Sequence, residues 1–369
     1  MRNIYLHLGL HKTATSSFQS TCFLNRDELE RQGYFYPVFT CPQASRTGIN
    51  NHSIPIYTLF SKSSGAYHIN LKWGIHDLDE AKRCYQETLD LAMQKEIDVI
   101  LSGEDISRLS KMELREFASY LSAFNRKIIA IASIRSPYLF HCSALQQIVR
   151  AGQHVNYTEY ISQRATIEVI LSVFNHQIKL LPFLSICSHS SGPVGALLET
   201  IGVDFSSINF SERNSGNSNA VVRAQNQINR RNPFIVNGRL NSNHRNLPEI
   251  EGEKFLLTQD ELNLITHQLD EDNSYFSKNL APEFCDESFP VSSDLSIDNL
   301  VDLIYECLPE VISPFTVDWL RNQAIKSEKS GNIAQAKDLM SLACLLRPGG
   351  EFIKQKLVEY RKRLQGRQG

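Results

Sequence analysis

Hydrophobic and polar positions fall into two alternating periodicities. Short apolar runs occupy 4–8, 97–104 and 127–135, the last continuously apolar as a central parallel strand should be. Between them, apolar residues recur at helical spacing. A helix is expected over 13–32, stopped by Gly33, and another over 77–95 on the Leu78, Ala81, Tyr85, Leu89 and Ala92 stripe. Strand, helix, strand, helix, strand predicts an α/β fold: a doubly wound, mostly parallel sheet with ligands at the C-terminal strand ends. The alternation continues with a helix to Arg150, a helix over 157–174, a strand over 177–183 and a short helix over 192–202. A helix through Arg230, a loop-like 232–257 and a helical 258–270 follow.

Residues 34–75 interrupt this order with Pro37, Pro42, Pro55, Gly48, Gly65 and several Ser and Asn. A long irregular stretch inside a compact domain reads as a lid or acceptor loop. The length, 369 residues, allows one large domain or two smaller ones. A formal charge of −2 leaves no electrostatic footprint for nucleic acid. The 8 cysteines form no C-x-x-C pair, which suits reduced, mostly buried thiols in a cytosolic protein. No apolar run is long enough for a bilayer, and the N-terminal one is short and broken by His7. With Met1 as the start, the expectation is a soluble, cytoplasmic protein with no transmembrane segment.

Residues 4–19 concentrate the chemistry. A strand ends at Leu8, Gly9 opens a turn, Lys12 sits in it, and Thr13, Thr15, Ser16 and Ser17 fill the first helical turn. A helix start exposes unpaired N–H groups and the positive end of its dipole, so it attracts an anion. Lysine and hydroxyls complete a phosphate or sulfate cradle. It is not a Walker A loop, because no second glycine precedes Lys12 at the required spacing. The plain alternative is an edge strand running into a Thr- or Ser-capped helix.

Gly9-Leu-His-Lys-Thr-Ala-Thr-Ser-Ser-Phe-Gln19 resembles the 5′-phosphosulfate loop of sulfotransferases, especially the bacterial and carbohydrate branch, which use 3′-phosphoadenosine 5′-phosphosulfate (PAPS). Ala14 stands where that family usually has glycine, and alanine fits there if φ is negative. Arg135-Ser-Pro, with Ser143 eight residues after the arginine, resembles the family's 3′-phosphate motif. Arg213 and Asn214 resemble its Arg-x-Asn-x-Ser segment near the nucleotide, with an Asn/Ser-rich N-cap as the plain reading. Asn51-His52-Ser53 resembles an Asn-His element near the acceptor, with a loop that bonds its own backbone as the alternative.

The resemblance implies that Lys12 neutralises the leaving oxygen and that the N–H groups of Thr13, Ala14, Thr15 and Ser16 hold the 5′-phosphate. No metal is needed. An acceptor hydroxyl needs a base, for which Glu104, His11 and His7 are candidates. Lys12 disfavours an imidazolium at His11, which tilts the choice to Glu104. His7 and His52 are the candidate acceptor contacts. The acceptor itself is open: a glycan, glycolipid or small metabolite with a hydroxyl or amine. Two rivals remain. A P-loop nucleotide kinase or hydrolase would need a Walker glycine and an Asp for Mg²⁺. A non-catalytic nucleotide-binding or scaffold protein would use the C-terminus.

That C-terminus differs in kind. Residues 317–348 resemble one tetratricopeptide helix pair, with Ala324, Gly331, Ala336, Ala343 and Pro348 at the family's spacings. One such unit cannot bury its own apolar face. It must dock on the catalytic domain, or offer itself to a protein partner or a second copy. A last amphipathic helix carries Phe352, Ile353, Leu357 and Tyr360. The expected organisation is an α/β domain over 1–310 and a helical segment over 315–369.

Overall fold

The computed structural model describes residues 2–10, 13–43, 46–211, 218–236, 239–241, 244, 246–247, 253–292, 316–347 and 349–365. In chain order the elements are β1 (Asn3–Leu8), α1 (Thr15–Leu24), α2 (Arg26–Arg31), β2 (Tyr34–Phe35), β3 (Phe39–Cys41), β4 (Arg46–Ile49), α3 (Ser53–Phe60), α4 (His68–Trp73) and α5 (Leu78–Gln94). Next come β5 (Asp98–Gly103), α6 (Lys111–Ser122), β6 (Lys127–Ile134), α7 (Pro137–Arg150), α8 (Arg164–Phe174), β7 (Ile178–Pro182), α9 (Phe183–Cys187) and α10 (Gly192–Ile201). The rest are α11 (Asn219–Arg231), β8 (Ile235–Val236), β9 (Arg239–Leu240), α12 (Gln259–Asn279), α13 (Thr316–Lys329), α14 (Ile333–Leu346) and α15 (Glu351–Gln365).

The chain divides into two compact units: Met1–His141 with Ile161–Asn214 and Gln268–Glu287, and Cys142–Tyr160 with Ser215–His267 and Ser288–Gly369. The first holds a five-stranded parallel sheet in the order β2-β5-β1-β6-β7. β1 lies at its centre, with Leu6 opposite Leu101 on one side and Ala130 on the other. Side chains alternate faces along a strand, so each central strand feeds two cores. Ile4, Leu6 and Leu8 join Leu101, Ala130 and Ala132 beneath Tyr85, Phe117 and Ile170. On the other face Tyr5, Ile100 and Ile131 meet Phe18 and Cys22 of α1 and Leu197 and Leu198 of α10. Helix starts are set locally: Asp77 caps α5 by accepting from Glu80 N, and Ser110 with Glu113 forms a capping box on α6.

Three elements depart from the sequence expectation. The helix expected over 13–32 breaks at Asn25, which is buried and bonds Thr21 O together with both the N–H and C=O of Asn209. With φ −109° and ψ 25° Asn25 leaves the helical region, and its side-chain amide ties the bend to the distant Asn209. The helix expected over 157–174 begins only at Arg164. Residues 34–75 are not an irregular loop. They form the β3–β4 hairpin, α3 and α4, and bury Phe39, Cys41, Ile49, Ile54, Ile56 and Tyr67 in the main core. Pro55 is accommodated because it lies in the first turn of α3, where no helical N–H bond is lost.

In the second unit, α13, α14 and α15 share a core of Leu320, Ala324, Ala336, Met340, Ala343, Leu357 and Tyr360, packed also against Ala220 and Ala224 of α11. The apolar faces of these three helices thus close on one another and on α11. Glu328 of α13 accepts bonds from Lys356, Tyr360 and Arg363, which pins α15. α11 itself buries Asn219, Arg223, Gln225, Asn226 and Asn229, with Arg223 paired to Glu261 at 2.8 and 2.7 Å. Among the described residues the cysteines are free, and no helix is long and apolar enough to cross a membrane.

Candidate active site

β1 and β5 are adjacent and parallel, with Leu8 opposite Gly103, so both strands end on one edge of the sheet. Gly9 N–H donates to Gly103 O at 3.2 Å and joins the two ends. A Cβ on Gly9 would sit 2.3 Å from Thr15 Oγ1, so glycine is what allows the first residue of α1 to close over the strand. Thr13 Oγ1 donates to Leu10 O at 2.6 Å and is consumed by the turn. Thr15 and Ser17 are buried, whereas Ser16 is exposed at the open end of α1. Thr15 Oγ1 lies buried without a hydrogen-bond partner. Of the loop hydroxyls, Ser16 is the one facing solvent beside the helix N–H groups.

Ala14 is the N-cap of α1 and has φ 62°, ψ 17°. The negative φ under which alanine would fit is not adopted. The turn keeps the left-handed shape suited to glycine, at a cost of about 1–2 kcal/mol for a side chain there. His11, Lys12, Arg213 and Asn214 lie outside the described residues.

Glu104 follows β5 directly, half-buried, with φ −71° and ψ −48° at the start of a short 3-10 turn. The structure thus brings the α1 loop and Glu104 to one edge through neighbouring strands. Arg135 follows β6, which flanks β1 on its other side. Its guanidinium carbon lies 4.1 Å above the Phe183 ring, a cation–π contact, and its carbonyl accepts from Gln163 Nε2. Asp286 Oδ2 takes the Tyr138 N–H at 2.8 Å and so caps α7. Burial raises the Asp286 pKa, against hydrogen bonds from Ser136, Tyr138, Asn273 and Leu139 that lower it. Ser143 is a half-buried residue of α7 in the second unit.

His7 and His52, the candidate acceptor contacts, lie beneath the sheet edge. Both are fully buried, and both hold Ser102. His7 Nδ1 lies 2.9 Å from Ser102 Oγ, with its ring edge-on to Phe18 at 5.0 Å. His52 Nδ1 accepts the Ser102 N–H at 3.0 Å, so its proton resides on Nε2, which donates to Pro37 O at 2.8 Å. Its ring stacks on Tyr36 at 4.3 Å. Burial lowers both pKa values to about 4, for His52 against the Pro37 bond. Neither ring meets solvent in this structure. The polar residues that sequence reasoning missed are Ser102, Gln19 and Asp286. Gln19 carried a signal as the last position of the loop motif; Asp286 carried none, being remote in sequence from α7.

No protein-family model and no curated protein matches the chain. Among solved structures, a sulfotransferase from Alicyclobacillus acidocaldarius is similar at 15% sequence identity and a TM-score of 0.34, over 58% of this chain and 87% of that one. A likeness of that extent carries no argument about the site.

Two outcomes follow from this geometry. Ala14→Gly removes the left-handed strain while adding backbone entropy to the unfolded chain, so a net stabilisation of about 1 kcal/mol is expected in urea titration; a destabilised variant would contradict the observed φ. The two histidines are neutral when folded and titrate near 6.5 when unfolded, so the unfolded chain binds more protons in between. Their contribution is complete above pH 6.5 and is lost as pH falls toward 4, on the order of 3 kcal/mol each. Urea midpoints across that window should fall steeply in the wild type and less in His7→Leu.

Proposed function

We propose that the protein is a PAPS-dependent sulfotransferase acting on a hydroxyl or amine of a glycan, glycolipid or small metabolite. The observation that carries this reading is the juxtaposition, on neighbouring strand ends, of an anion-receptive helix start and a carboxylate. The open end of α1, with exposed Ser16 beside the Gly9 turn, suits a 5′-phosphosulfate group by charge and by donor chemistry. Glu104, across the Gly9–Gly103 bond, suits an acceptor proton.

The remaining assignments come from the loop and strand-end motifs. Lys12 neutralises the leaving phosphate oxygen, with N–H groups of Thr13, Ala14, Thr15 and Ser16 around the 5′-phosphate. Arg135 and Ser143 take the 3′-phosphate, and Arg213 and Asn214 lie by the nucleotide. His11 is the alternative base. When bound, PAPS supplies a sulfuryl group on a phosphate leaving group, and the protein's part is positioning and charge stabilisation. The cytoplasm, where such a donor and reduced thiols coexist, is the proposed location. The C-terminal helices remain available for a protein partner or self-association.

A thermal-shift panel of PAP (the desulfated product), ATP–Mg²⁺ and GTP–Mg²⁺ tests the donor class. Stabilisation by PAP alone supports the proposal, and stabilisation by a triphosphate alone refutes it. Transfer of label from PAPS to fractionated extract then identifies the acceptor. In that assay Lys12→Ala should lower kcat by two orders of magnitude or more, about 3 kcal/mol, with a smaller loss of PAP affinity. Near-normal turnover would take Lys12 out of the mechanism. Glu104→Gln keeps the shape and removes the basicity, so kcat should drop roughly 10²–10⁴-fold at nearly constant PAP affinity. If that variant stays active while His11→Ala does not, the histidine is the base.

A further inference from the structure

β2 reaches only as far as Phe35, opposite Val99, so beyond that point no strand among the described residues pairs with β5 on its outer side. In a parallel ladder alternate residues turn their N–H and C=O to opposite neighbours. Gly103 turns its carbonyl to β1, where Gly9 N–H meets it, and Ser102 therefore turns outward to the side β2 has left. Buried backbone groups there must find other partners. His52 supplies both: its N–H donates to Ser102 O at 3.1 Å and its Nδ1 accepts the Ser102 N–H at 3.0 Å. One residue, through a backbone donor and a ring acceptor, imitates the missing strand.

Four further bonds close the arrangement. Gln19 Nε2, from α1, donates to Ser102 O at 3.0 Å and to Asn51 Oδ1 at 3.2 Å. Asn51 Oδ1 also accepts the Ser53 N–H at 3.0 Å, and Ser53 Oγ accepts the Asp105 N–H at 2.9 Å. Gly103 has no Cβ to prevent this, since one would fall 2.6 Å from Ser53 N. The backbone on both sides of Glu104 is thus tied to 51–53, and through Gln19 to the same helix whose start forms the anion site.

We propose that Gln19, Asn51, His52 and Ser53 are positioning residues: a clamp that fixes the Ser102–Asp105 backbone and thereby sets Glu104 against the open end of α1. The inference rests on the sulfotransferase reading for its catalytic consequence, but the clamp itself is measurable without it. Glu104 needs placement within a fraction of an ångström of an acceptor proton, and a strand end without a neighbour cannot hold that by itself.

The test joins amide hydrogen exchange to kinetics in the full-length protein. Gln19→Met keeps volume and removes both donated bonds. His52→Leu removes the ring acceptor, whereas His52→Asn restores an acceptor at the Nδ1 position. In Gln19→Met and His52→Leu the amides of Ser102, Gly103 and Asp105 should exchange roughly tenfold faster or more, with β1 and β6 unchanged. His52→Asn should return them toward wild-type rates. With PAPS as donor, kcat should fall roughly tenfold or more in Gln19→Met at a donor KM within about twofold of wild type. Unchanged exchange in Gln19→Met overturns the clamp. So does faster exchange spread evenly over the sheet with a matching loss of folded protein, which would mark an ordinary structural role. If exchange changes as expected but wild-type protein transfers no sulfate, the clamp stands and the sulfotransferase reading fails.

Discussion

The close approach of two glycines, Gly9 just after β1 and Gly103 at the end of β5, is the constraint on which the site depends. Their backbones share a hydrogen bond, and neither position tolerates a side chain: one would strike Thr15, the other Ser53 N. Each glycine therefore seats a helix start on the sheet edge, α1 above Gly9 and α3 above Gly103. Packing density at such an edge leaves no slack for even one methyl group. The anion-receptive end of α1 and the carboxylate after β5 are neighbours because these two helices can come so near.

Beneath that edge the interior is polar where an α/β core is usually apolar. Ser102 lies between two neutral histidines, one from β1 and one from the start of α3. An imidazole suits the task because burial removes its charge while leaving one donor and one acceptor at fixed directions. His7 Nε2 is buried without a partner among the described residues, while both nitrogens of His52 and the Ser102 backbone are matched, and matched groups are what make a buried polar cluster specify one arrangement. The dependence on neutral rings also ties the integrity of the edge to pH.

Ala14 shows a different balance. The turn before α1 retains a left-handed residue although the chain supplies alanine there. The geometry is held by Gly9, by the Thr13 bond to Leu10 O and by the Phe18 N–H on Ala14 O, which together outweigh the local strain.

Local pattern sufficed for what depends on near neighbours. The parallel strands 97–104 and 127–135, the helix on the Leu78–Ala92 stripe and the turn-to-helix motif after Leu8 were legible because periodicity and helix starts are short-range properties. The shared edge of the Gly9 loop and Glu104 followed from the alternation of strands and helices. What the sequence could not disclose was how backbone polar groups would be satisfied across long separations. Asn51 and His52 have no visible partner in one dimension; in the tertiary structure His52 lies inward, where β2 has ended at Phe35 and the Ser102 N–H needs an acceptor. The same accounting broke the first helix at Asn25, ordered residues 34–75 into core-packed elements, and set Asp286 on the start of α7. Hydrophobic spacing is written along the chain, whereas the pairing of buried donors and acceptors is decided only when distant segments meet.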